Sequence, residues 1–190
     1  ADLIGMGRQM IADPSWTNKV HYGKEDTIRK CISCNIGCSG HRIGLNRPIR
    51  CSVNPSVNEG EEYRSWKVKK PCNVVVIGGG TAGLEAACTA AEVGCTTFLI
   101  EKEDHLGGLS VEISKIPDKK RLRDFPDYLI HRAEKLRNLI TFTSTEATPS
   151  FVKMLKPDFI INATGSTPLL PPISGLRENI DASGSHVSGI

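Results

Sequence analysis

The second half of the chain alternates short apolar runs with amphipathic or alanine-rich stretches. "NVVVI", from Asn73, is typical of a strand buried on both faces. "TAGLEAACTAAEV" predicts a helix that Gly94 ends as a natural C-cap. Further strands are predicted in "CTTFLIE", "LITFTST" and "DFIINATG", and further helices in "FPDYLIHRAEKLR" and "PSFVKMLK". This alternation predicts an α/β fold: a Rossmann-like parallel sheet with right-handed crossovers.

The helix predicted from "FPDYLIHRAEKLR" carries its own start signals. Asp124 is predicted to cap it, and Pro126 lies in its first turn, where a missing N–H costs little. Four apolar residues at helical spacing predict the buried face: Leu129, Ile130, Ala133 and Leu136.

The first 70 residues lack this regularity. Residues 3–6 are predicted as a strand, followed by a helix-like segment from Gln9 that is interrupted at Asp13-Pro14 and restarts around Trp16. Residues 23–66 show almost no hydrophobic periodicity and are dense in Cys, Asn, Gly and Arg. Such a long loop needs something other than apolar burial to hold it, and a bound metal centre would serve. The sequence therefore divides into three parts: 1–22, 23–70 and 71–190.

Composition narrows the class of protein. Over 190 residues, 39% are hydrophobic, 24% are charged and the net charge is +3, which is ordinary for a soluble protein and gives no sign of a nucleic-acid or membrane partner. No apolar run is long enough to span a membrane, and no leader is apparent, so a cytoplasmic location is expected. Thiols are kept reduced there, which makes metal ligation or burial the expected state of the seven cysteines.

The glycine-rich loop after the first α/β strand fits the pattern G-x-G-x-x-G. It lies between a predicted strand and a predicted helix, the context that dinucleotide binding requires. Gly78 permits the tight turn, Gly80 lets a pyrophosphate approach the backbone, and Gly83 allows the helix to pack closely on the strand. The pyrophosphate would bind the N–H groups of the helix start at Thr81 and Ala82.

An acidic residue indicates which dinucleotide is bound. Glu101 ends the second strand, where it can accept hydrogen bonds from the adenosine ribose. An acid at this position favours FAD or NAD over NADP, although Lys102 beside it is basic.

Two further glycine motifs are similar to those of flavoproteins that contain two dinucleotide-binding domains. Gly107 and Gly108 match the second glycine pair of such proteins, which passes near the flavin side. The turn that closes over the nucleotide in these proteins is matched by Ala163, Thr164 and Gly165. This resemblance favours FAD over NAD.

Four cysteines lie in the stretch "CISCNIGCSGHRIGLNRPIRC". They are Cys31, Cys34, Cys38 and Cys51, with two, three and twelve residues between them. A zinc ribbon usually pairs two Cys-x-x-Cys knuckles and only one is present, whereas iron–sulfur clusters take four thiolates from loops rich in glycine and polar residues. The spacing leaves both sites open, and a flavin-type fold nearby favours the cluster.

The remaining cysteines form no close motif in the sequence. Cys72 precedes a strand, while Cys88 and Cys95 are predicted to be small buried hydrophobic residues. The five histidines show no ligand spacing.

In combination and order, these motifs resemble the iron–sulfur flavoenzymes typified by 2,4-dienoyl-CoA reductase and trimethylamine dehydrogenase. Those enzymes join an old-yellow-enzyme-like (β/α)8 barrel with FMN, a four-cysteine [4Fe–4S] loop and a nucleotide domain holding FAD or ADP. "ADLIGMGRQMIADPSW" resembles the end of the barrel, "CISCNIGC" to "CSVNP" the cluster loop, and "VVVIGGGTAGLEAA" the nucleotide domain. The resemblance implies that the four cysteines bind the cluster, and that Gly7 and Arg8 contact the FMN phosphate.

The same resemblance implies a function, and it implies that other domains of these enzymes have no counterpart in this sequence. In the family, NAD(P)H reduces FAD, electrons pass singly through the cluster to FMN, and FMN reduces an activated C=C bond. Most of the barrel and the nicotinamide-binding domain have no counterpart here, so we expect the chain to be an internal segment whose partner is the rest of its own polypeptide. No residue is a candidate acid–base catalyst, and the isolated chain is expected not to turn over a small-molecule substrate.

Two other interpretations share some of these residues. A disulfide reductase would use the same FAD fold but needs a redox cysteine pair near the flavin, which the sequence does not indicate. A zinc-stapled, non-catalytic nucleotide-binding module would use the same cysteines for one metal ion.

Overall fold

The computed structural model of the protein describes residues 2–58, 66–166 and 172. Its helices are α1 (Arg8–Ala12), α2 (Trp16–His21), α3 (Thr81–Val93), α4 (Leu109–Ser114), α5 (Asp124–Glu134) and α6 (Pro149–Met154). Short 3₁₀ helices span Glu25–Thr27 and Pro117–Arg123, and a π-helix spans Ile36–Gly44. The strands are β1 (Asn73–Ile77), β2 (Thr96–Ile100), β3 (Leu139–Phe142) and β4 (Phe159–Asn162).

The four strands form one parallel sheet in the order β3-β2-β1-β4. Asn73 pairs with Thr96 and Val74 with Phe159, so β1 is a central strand with a neighbour on each side. Each parallel connection passes through helical segments, as such crossovers require. The α/β interpretation of this half of the chain is therefore confirmed.

Side chains on β1 alternate between two apolar layers. Val74 and Val76 pack with Leu84 of α3 and Leu129 of α5 on one face of the sheet. On the other face, Val75 packs with Ile100 and, from α6, Val152. A strand covered on both faces has no polar side to present, which explains the continuous apolar run in its sequence.

The buried stripe predicted for α5 is confirmed. Leu129 and Ala133 are buried, and Ile130 and Leu136 pack against the same cluster. The capping role predicted for Asp124 is wrong, because the preceding 3₁₀ helix runs directly into α5. Asp124 therefore has helical backbone angles of its own, and its carboxylate lies 3.3 Å from Lys30 Nζ.

The strand predicted at residues 3–6 does not form. Leu3 and Ile4 are 91% and 80% exposed and have no strand beside them in the described residues, and a strand without a neighbour has no backbone partners. The two predicted helical segments around Asp13-Pro14 are confirmed as α1 and α2.

The long segment predicted as a loop contains more regular structure than expected. Ile36–Gly44 forms a π-helix inside the cysteine motif, which carries Cys38 in its first turn. π-helical turns are rare and occur frequently at functional sites. Among the described residues, no helix is both long and apolar enough to cross a lipid bilayer.

Candidate functional site

The glycine-rich loop lies where β1 meets α3, at the carboxyl edge of the sheet. Gly78 has φ of +104°, in the left-handed region that favours glycine. A Cβ atom on Gly83 would overlap the carbonyl oxygen of Gly78, so the helix start and the strand end touch through their backbones. A Cβ on Gly80 would meet nothing within 4 Å, which leaves this side of the loop open. The turn and the close packing predicted from the sequence are confirmed, and the pyrophosphate contact stays a prediction.

The first turn of α3 offers backbone donors beside this open side. The first intrahelical bond of α3 runs from Leu84 N to Gly80 O, at 2.9 Å. The N–H groups of Thr81, Ala82 and Gly83 precede that bond and have no partner within the helix. They can bind an anion, which the positive end of the helix dipole also attracts.

Glu101 lies beneath the glycine loop and is only 8% exposed. Its Oε2 accepts a hydrogen bond from Gly79 N at 2.5 Å, and its Oε1 accepts one from Glu103 N at 2.9 Å. These two bonds fix the carboxylate at the end of β2, next to the loop. The Lys102 side chain is mostly exposed to solvent, and its Nζ lies 3.5 Å from Glu103 Oε1.

The second glycine pair packs directly on the first loop. Gly107 N donates to Gly79 O at 2.8 Å, and a Cβ on Gly108 would lie 3.0 Å from the Cα of Gly80. Both have positive φ, +107° and +55°. Gly107 and Gly108 therefore help to hold the conformation of the glycine-rich loop.

The turn after β4, at residues 163–165, also packs against the glycine-rich loop. Ala163 N donates to Ile77 O at 2.8 Å, and a Cβ on Gly78 would overlap the carbonyl oxygen of Ala163. The Thr164 hydroxyl bonds to Asn162 Oδ1 at 2.9 Å, and Gly165 has φ of +77°. One cavity at this edge is lined by Gly78, Glu101, Lys102, Thr145, Glu146 and Thr164. All the predicted nucleotide-site residues of the α/β region thus surround the loop.

The four cysteines of the motif line a single cavity. Arg8, Asn35 and the backbone of Gly37 complete much of its wall, around Cys31, Cys34, Cys38 and Cys51. Among the described residues, no three Cys, His, Asp or Glu side chains are placed to share one metal ion. The four cysteines therefore border a common space.

Polar groups lie within hydrogen-bond distance of two of these sulfur atoms. Ser33 N lies 3.4 Å from the sulfur of Cys31, and the Ser52 hydroxyl lies 3.3 Å from the sulfur of Cys34. Ser33 and Asn35 both have φ of +57°, which is uncommon for residues with side chains. Hydrogen bonds of this kind stabilise thiolate charge and, in iron–sulfur proteins, tune the potential.

Arg8 faces this cavity and donates a hydrogen bond to Asn35 Oδ1. Gly7 is exposed, and a Cβ there would meet nothing within 4 Å. The predicted contact of these two residues with an FMN phosphate stays a prediction.

Sequence analysis missed the polar residues that hold the cysteine segment in place. Gln9 accepts from Cys31 N at 2.9 Å and donates to Arg29 O at 3.0 Å. The Asp13 carboxylate accepts from Arg29 N at 2.9 Å and from Lys19 Nζ at 2.6 Å. Burial acts to raise the pKa of Asp13, but these donors outweigh it and hold that pKa below its ordinary value. No local motif marks such residues, because their partners lie far away in the sequence.

Arg29 then connects the cysteine segment to α5. Its guanidinium donates to Asn54 Oδ1 at 2.8 Å and to the Tyr128 hydroxyl at 3.2 Å, and it lies 5.2 Å from the centre of the Tyr128 ring. A second link joins Asp26 to His131 Nε2 at 2.8 Å and to Lys135 Nζ at 2.7 Å.

A groove runs between the cysteine cavity and the glycine loop. Cys51, Ser52 and Val53 form one side, and Thr81, Ala82 and Glu85 of α3 form the other. Cys51 borders both the cysteine cavity and this groove. The two candidate sites are therefore neighbours in space.

Two of the remaining cysteines, which form no close motif in the sequence, meet in the folded chain. The sulfur atoms of Cys72 and Cys95 are 2.7 Å apart. Both residues lie at the amino edge of the sheet, one position before β1 and β2, so strand register is the signal that would have found them. The burial predicted for Cys88 and Cys95 is confirmed.

The α/β region matches a known family of proteins. Residues 73–147 match the family described as FAD dependent oxidoreductase. The chain is 44% identical over 182 residues to NADH oxidase from Thermoanaerobacter brockii, and 34% identical over 177 residues to cinnamate reductase from Clostridium sporogenes. These alignments include 94% and 92% of this chain but only 27% and 26% of the relatives, so the chain spans about a quarter of their length.

A solved structure extends the likeness through the cysteine segment. The structure of 2-naphthoyl-CoA reductase with 2-naphthoyl-CoA superimposes with a TM-score of 0.87 at 32% identity. The match includes 94% of this chain and 27% of that one. The likeness therefore extends over most of this chain, which spans about a quarter of that larger protein.

Proposed function

We propose that this chain, which is homologous to a segment of the iron–sulfur flavoenzymes related to old yellow enzyme, is their electron-transfer segment. It would pass electrons between FAD, a [4Fe–4S] cluster and FMN in an NAD(P)H-dependent oxidoreductase that reduces an activated C=C bond. The flavins supply hydride chemistry and the cluster supplies single-electron transfer when they are bound. The residues of this chain bind, separate and tune these groups.

The cluster site would use the four thiols of the cysteine cavity. Four thiolates on the wall of one space suit a cubane, in which each sulfur binds a different iron atom. The Ser33 N–H and the Ser52 hydroxyl would lower the energy of the charged ligands at Cys31 and Cys34. A single zinc ion instead needs its sulfur ligands about 2.3 Å from one point.

The nucleotide site would use the glycine loop and Glu101. A pyrophosphate can reach the N–H groups of Thr81 and Ala82 past the open side of Gly80. The Glu101 carboxylate, already oriented by Gly79 N, would receive the ribose hydroxyl groups. FAD and ADP share these parts, and both remain candidate occupants.

The groove between the two sites carries this proposal. Electron transfer requires that the donor and the acceptor lie close together, and Cys51 borders a groove whose opposite wall is the start of α3. A nucleotide bound at Thr81 and Ala82 would lie against this groove. A structural metal would have no need of such a position.

The FMN site would lie on the other side of the cysteine cavity. Arg8 borders that cavity, and Gly7 beside it leaves open space, so a phosphate bound at Arg8 would place FMN near the cluster. The barrel, the nicotinamide-binding domain and the substrate pocket would belong to the remainder of the polypeptide. Reduction of a C=C bond is proposed from the reductases among the relatives.

Neither alternative has an observation in its favour. The Cys72–Cys95 pair lies at the amino edge of the sheet, across the strands from the glycine loop, so a flavin at the carboxyl edge would not reach it as a disulfide reductase requires. The zinc module would use the same four cysteines, so the number of iron, zinc and sulfide atoms bound per chain distinguishes it from the cluster.

Metal analysis of the chain purified without oxygen tests the proposal. We expect about four irons and four acid-labile sulfides per chain, with FAD or ADP released on denaturation. Cys38→Ser should lose the iron and sulfide, while Cys88→Ser, which changes a buried thiol outside the motif, should keep them. One zinc without sulfide in the wild-type chain would contradict the electron-transfer role.

A further inference from the structure

Cys72 and Cys95 lie side by side at the start of the two central strands. Asn73 pairs with Thr96 in the parallel register of β1 and β2, and the two cysteines occupy the preceding position on each strand. Thr96 N donates to Cys72 O at 2.9 Å, so the ladder continues to this point. Neighbouring strands are about 4.8 Å apart, within the Cα separation that a disulfide bridges.

The backbone around the pair is fixed by contacts of its own. Cys95 N donates to Ala90 O at 3.0 Å, and Asn138 Nδ2 donates to Cys95 O at 2.8 Å. Before Cys72, Val68 N donates to Val93 O at 2.8 Å. The two thiols, with sulfur atoms 2.7 Å apart, are therefore held together by the sheet itself.

We propose that Cys72 and Cys95 form a reversible disulfide, a thiol-modification site separate from the cluster and nucleotide sites. The oxidant is a small disulfide such as glutathione disulfide. The site lies at the amino edge of the sheet, with the length of β1 between it and Gly78. Its oxidation state is therefore independent of the proposed function.

The two thiols have different roles in the exchange. Cys95 is 4% exposed, whereas Cys72 is only half-buried, so Cys72 meets the oxidant first. Its thiolate attacks one sulfur of glutathione disulfide, which forms a mixed disulfide and releases one glutathione. Cys95 then attacks the Cys72 sulfur and releases the second glutathione. Two protein thiols lose two electrons and two protons, which appear in the two glutathione thiols.

Burial sets the pH dependence of this exchange. Burial and the neighbouring Cys72 thiol raise the pKa of Cys95 to about 11. Cys95 is therefore almost entirely protonated near neutral pH, and its thiolate fraction increases about tenfold per pH unit below that pKa. The closing step should accelerate with pH in the same proportion.

Peptide mapping of the full chain tests the proposal. The chain, purified without oxygen, is incubated with defined ratios of glutathione and glutathione disulfide, and free thiols are then blocked. Cleavage at Glu85 and Glu92 places Cys72, Cys88 and Cys95 on three separate peptides. We expect a Cys72–Cys95 linked peptide that a dithiol reductant removes, together with a melting temperature about 5 °C or more above that of the reduced chain.

Three single variants separate the roles of the thiols. Cys95→Ser should trap Cys72 as its mixed disulfide with glutathione, and Cys72→Ser should leave Cys95 unmodified because that thiol is buried. Cys88→Ser should form the link as readily as the wild-type chain. The proposal is overturned if the wild-type chain forms no linked peptide at any ratio, or if either thiol links preferentially to another cysteine.

Discussion

The cysteine region (residues 8–58) and the nucleotide region (residues 73–166) are held together by different forces. In the described structure, the buried apolar residues of the cysteine region are Ala12 and Val53, while the nucleotide region buries an apolar layer on each face of its sheet. The cysteine region is stabilised instead by hydrogen bonds among polar residues: the buried Asp13 and Asn54 and the half-buried Arg29. In the sheet, packed valine and leucine side chains provide this stabilisation. Apolar burial is non-directional, whereas a polar network depends on every partner. The nucleotide region should therefore keep its structure without a cofactor, and the cysteine region should depend on one.

Removal of the proposed cluster should give the largest difference between the regions. Because metal binding contributes to folding where a region has little apolar core, iron chelation should increase amide hydrogen exchange in the cysteine region by a factor of about 100 or more. Strands β1 and β2 should change by less than about twofold. Hydrogen exchange followed by mass spectrometry measures both regions in one sample. Equal loss of protection in both would contradict the comparison.

Truncation of the sheet core should give the next largest effect. Leu84 is fully buried between α3 and β1, so Leu84→Ala should lower the free energy of unfolding by about 3 kcal/mol. Leu109→Ala is the matched control, because Leu109 is 59% exposed and its truncation should cost less than about 0.5 kcal/mol. Urea unfolding followed by circular dichroism measures the loss. Similar values for the two variants would mean that α3 does not anchor the core.

The structure of the nucleotide region could be predicted because apolar burial and helix capping produce local patterns in the sequence. The apolar run at β1, the alanine-rich α3 and Gly94 with φ of +110° each follow from a local pattern. The exposure of β4 is a feature that its local sequence pattern does not predict. Phe159 and Ile160 are 62% and 55% exposed, although the apolar run "FIIN" is typical of a covered strand.

In the cysteine region, the sequence identified the four candidate ligands but not the residues that position them. The four cysteines could be identified by spacing, but the residues that position them have partners far along the chain. Gln9 bonds to Cys31 N, and Arg29 bonds to Tyr128, 99 residues away. Such contacts produce no hydrophobic periodicity and no change of composition in the sequence. The π-helix also lacks a recognised sequence signal, whereas the C-cap glycine of α3 is one. The pair Cys72 and Cys95 was hidden for the same reason, because only strand register brings it together.

Loss of the Asp13 carboxylate should affect the cysteine region alone. Its side chain is 6% exposed and accepts from Lys19, Arg29 N and Ser15 N, so Asp13→Ala should cost about 2 kcal/mol of local stability. Asp118→Ala is the control, because Asp118 lies on an exposed 3₁₀ helix. Exchange rates at the amides of α2 and of Arg29 would report the loss, and unchanged rates would contradict it.

The same carboxylate sets a pH window. The pKa of Asp13 is lower in the folded chain than its ordinary value of 3.8, so its contribution is fully present above about pH 4. It is lost as pH falls through the lowered pKa, because protonation then favours the unfolded region. Wild-type and Asp13→Ala chains should therefore converge in stability at low pH, as measured by amide exchange from pH 5 downward. A difference between them that persists at the lowest pH would contradict this assignment.

The smallest effect should come from the ion pairs that join the regions at the surface. Hydrogen bonds from Lys135 and His131 lower the pKa of Asp26 to about 2, but Asp26 is exposed to solvent, which screens both ion pairs. Asp26→Asn should therefore leave the melting temperature almost unchanged, and any difference should disappear in 1 M salt, where the Debye length is about 3 Å. Arg29→Ala, which removes the half-buried contacts to Asn54 and Tyr128, should loosen the regions at every salt concentration. If Asp26→Asn separated them as much as Arg29→Ala, exposed charge rather than partly buried contact would join the two regions.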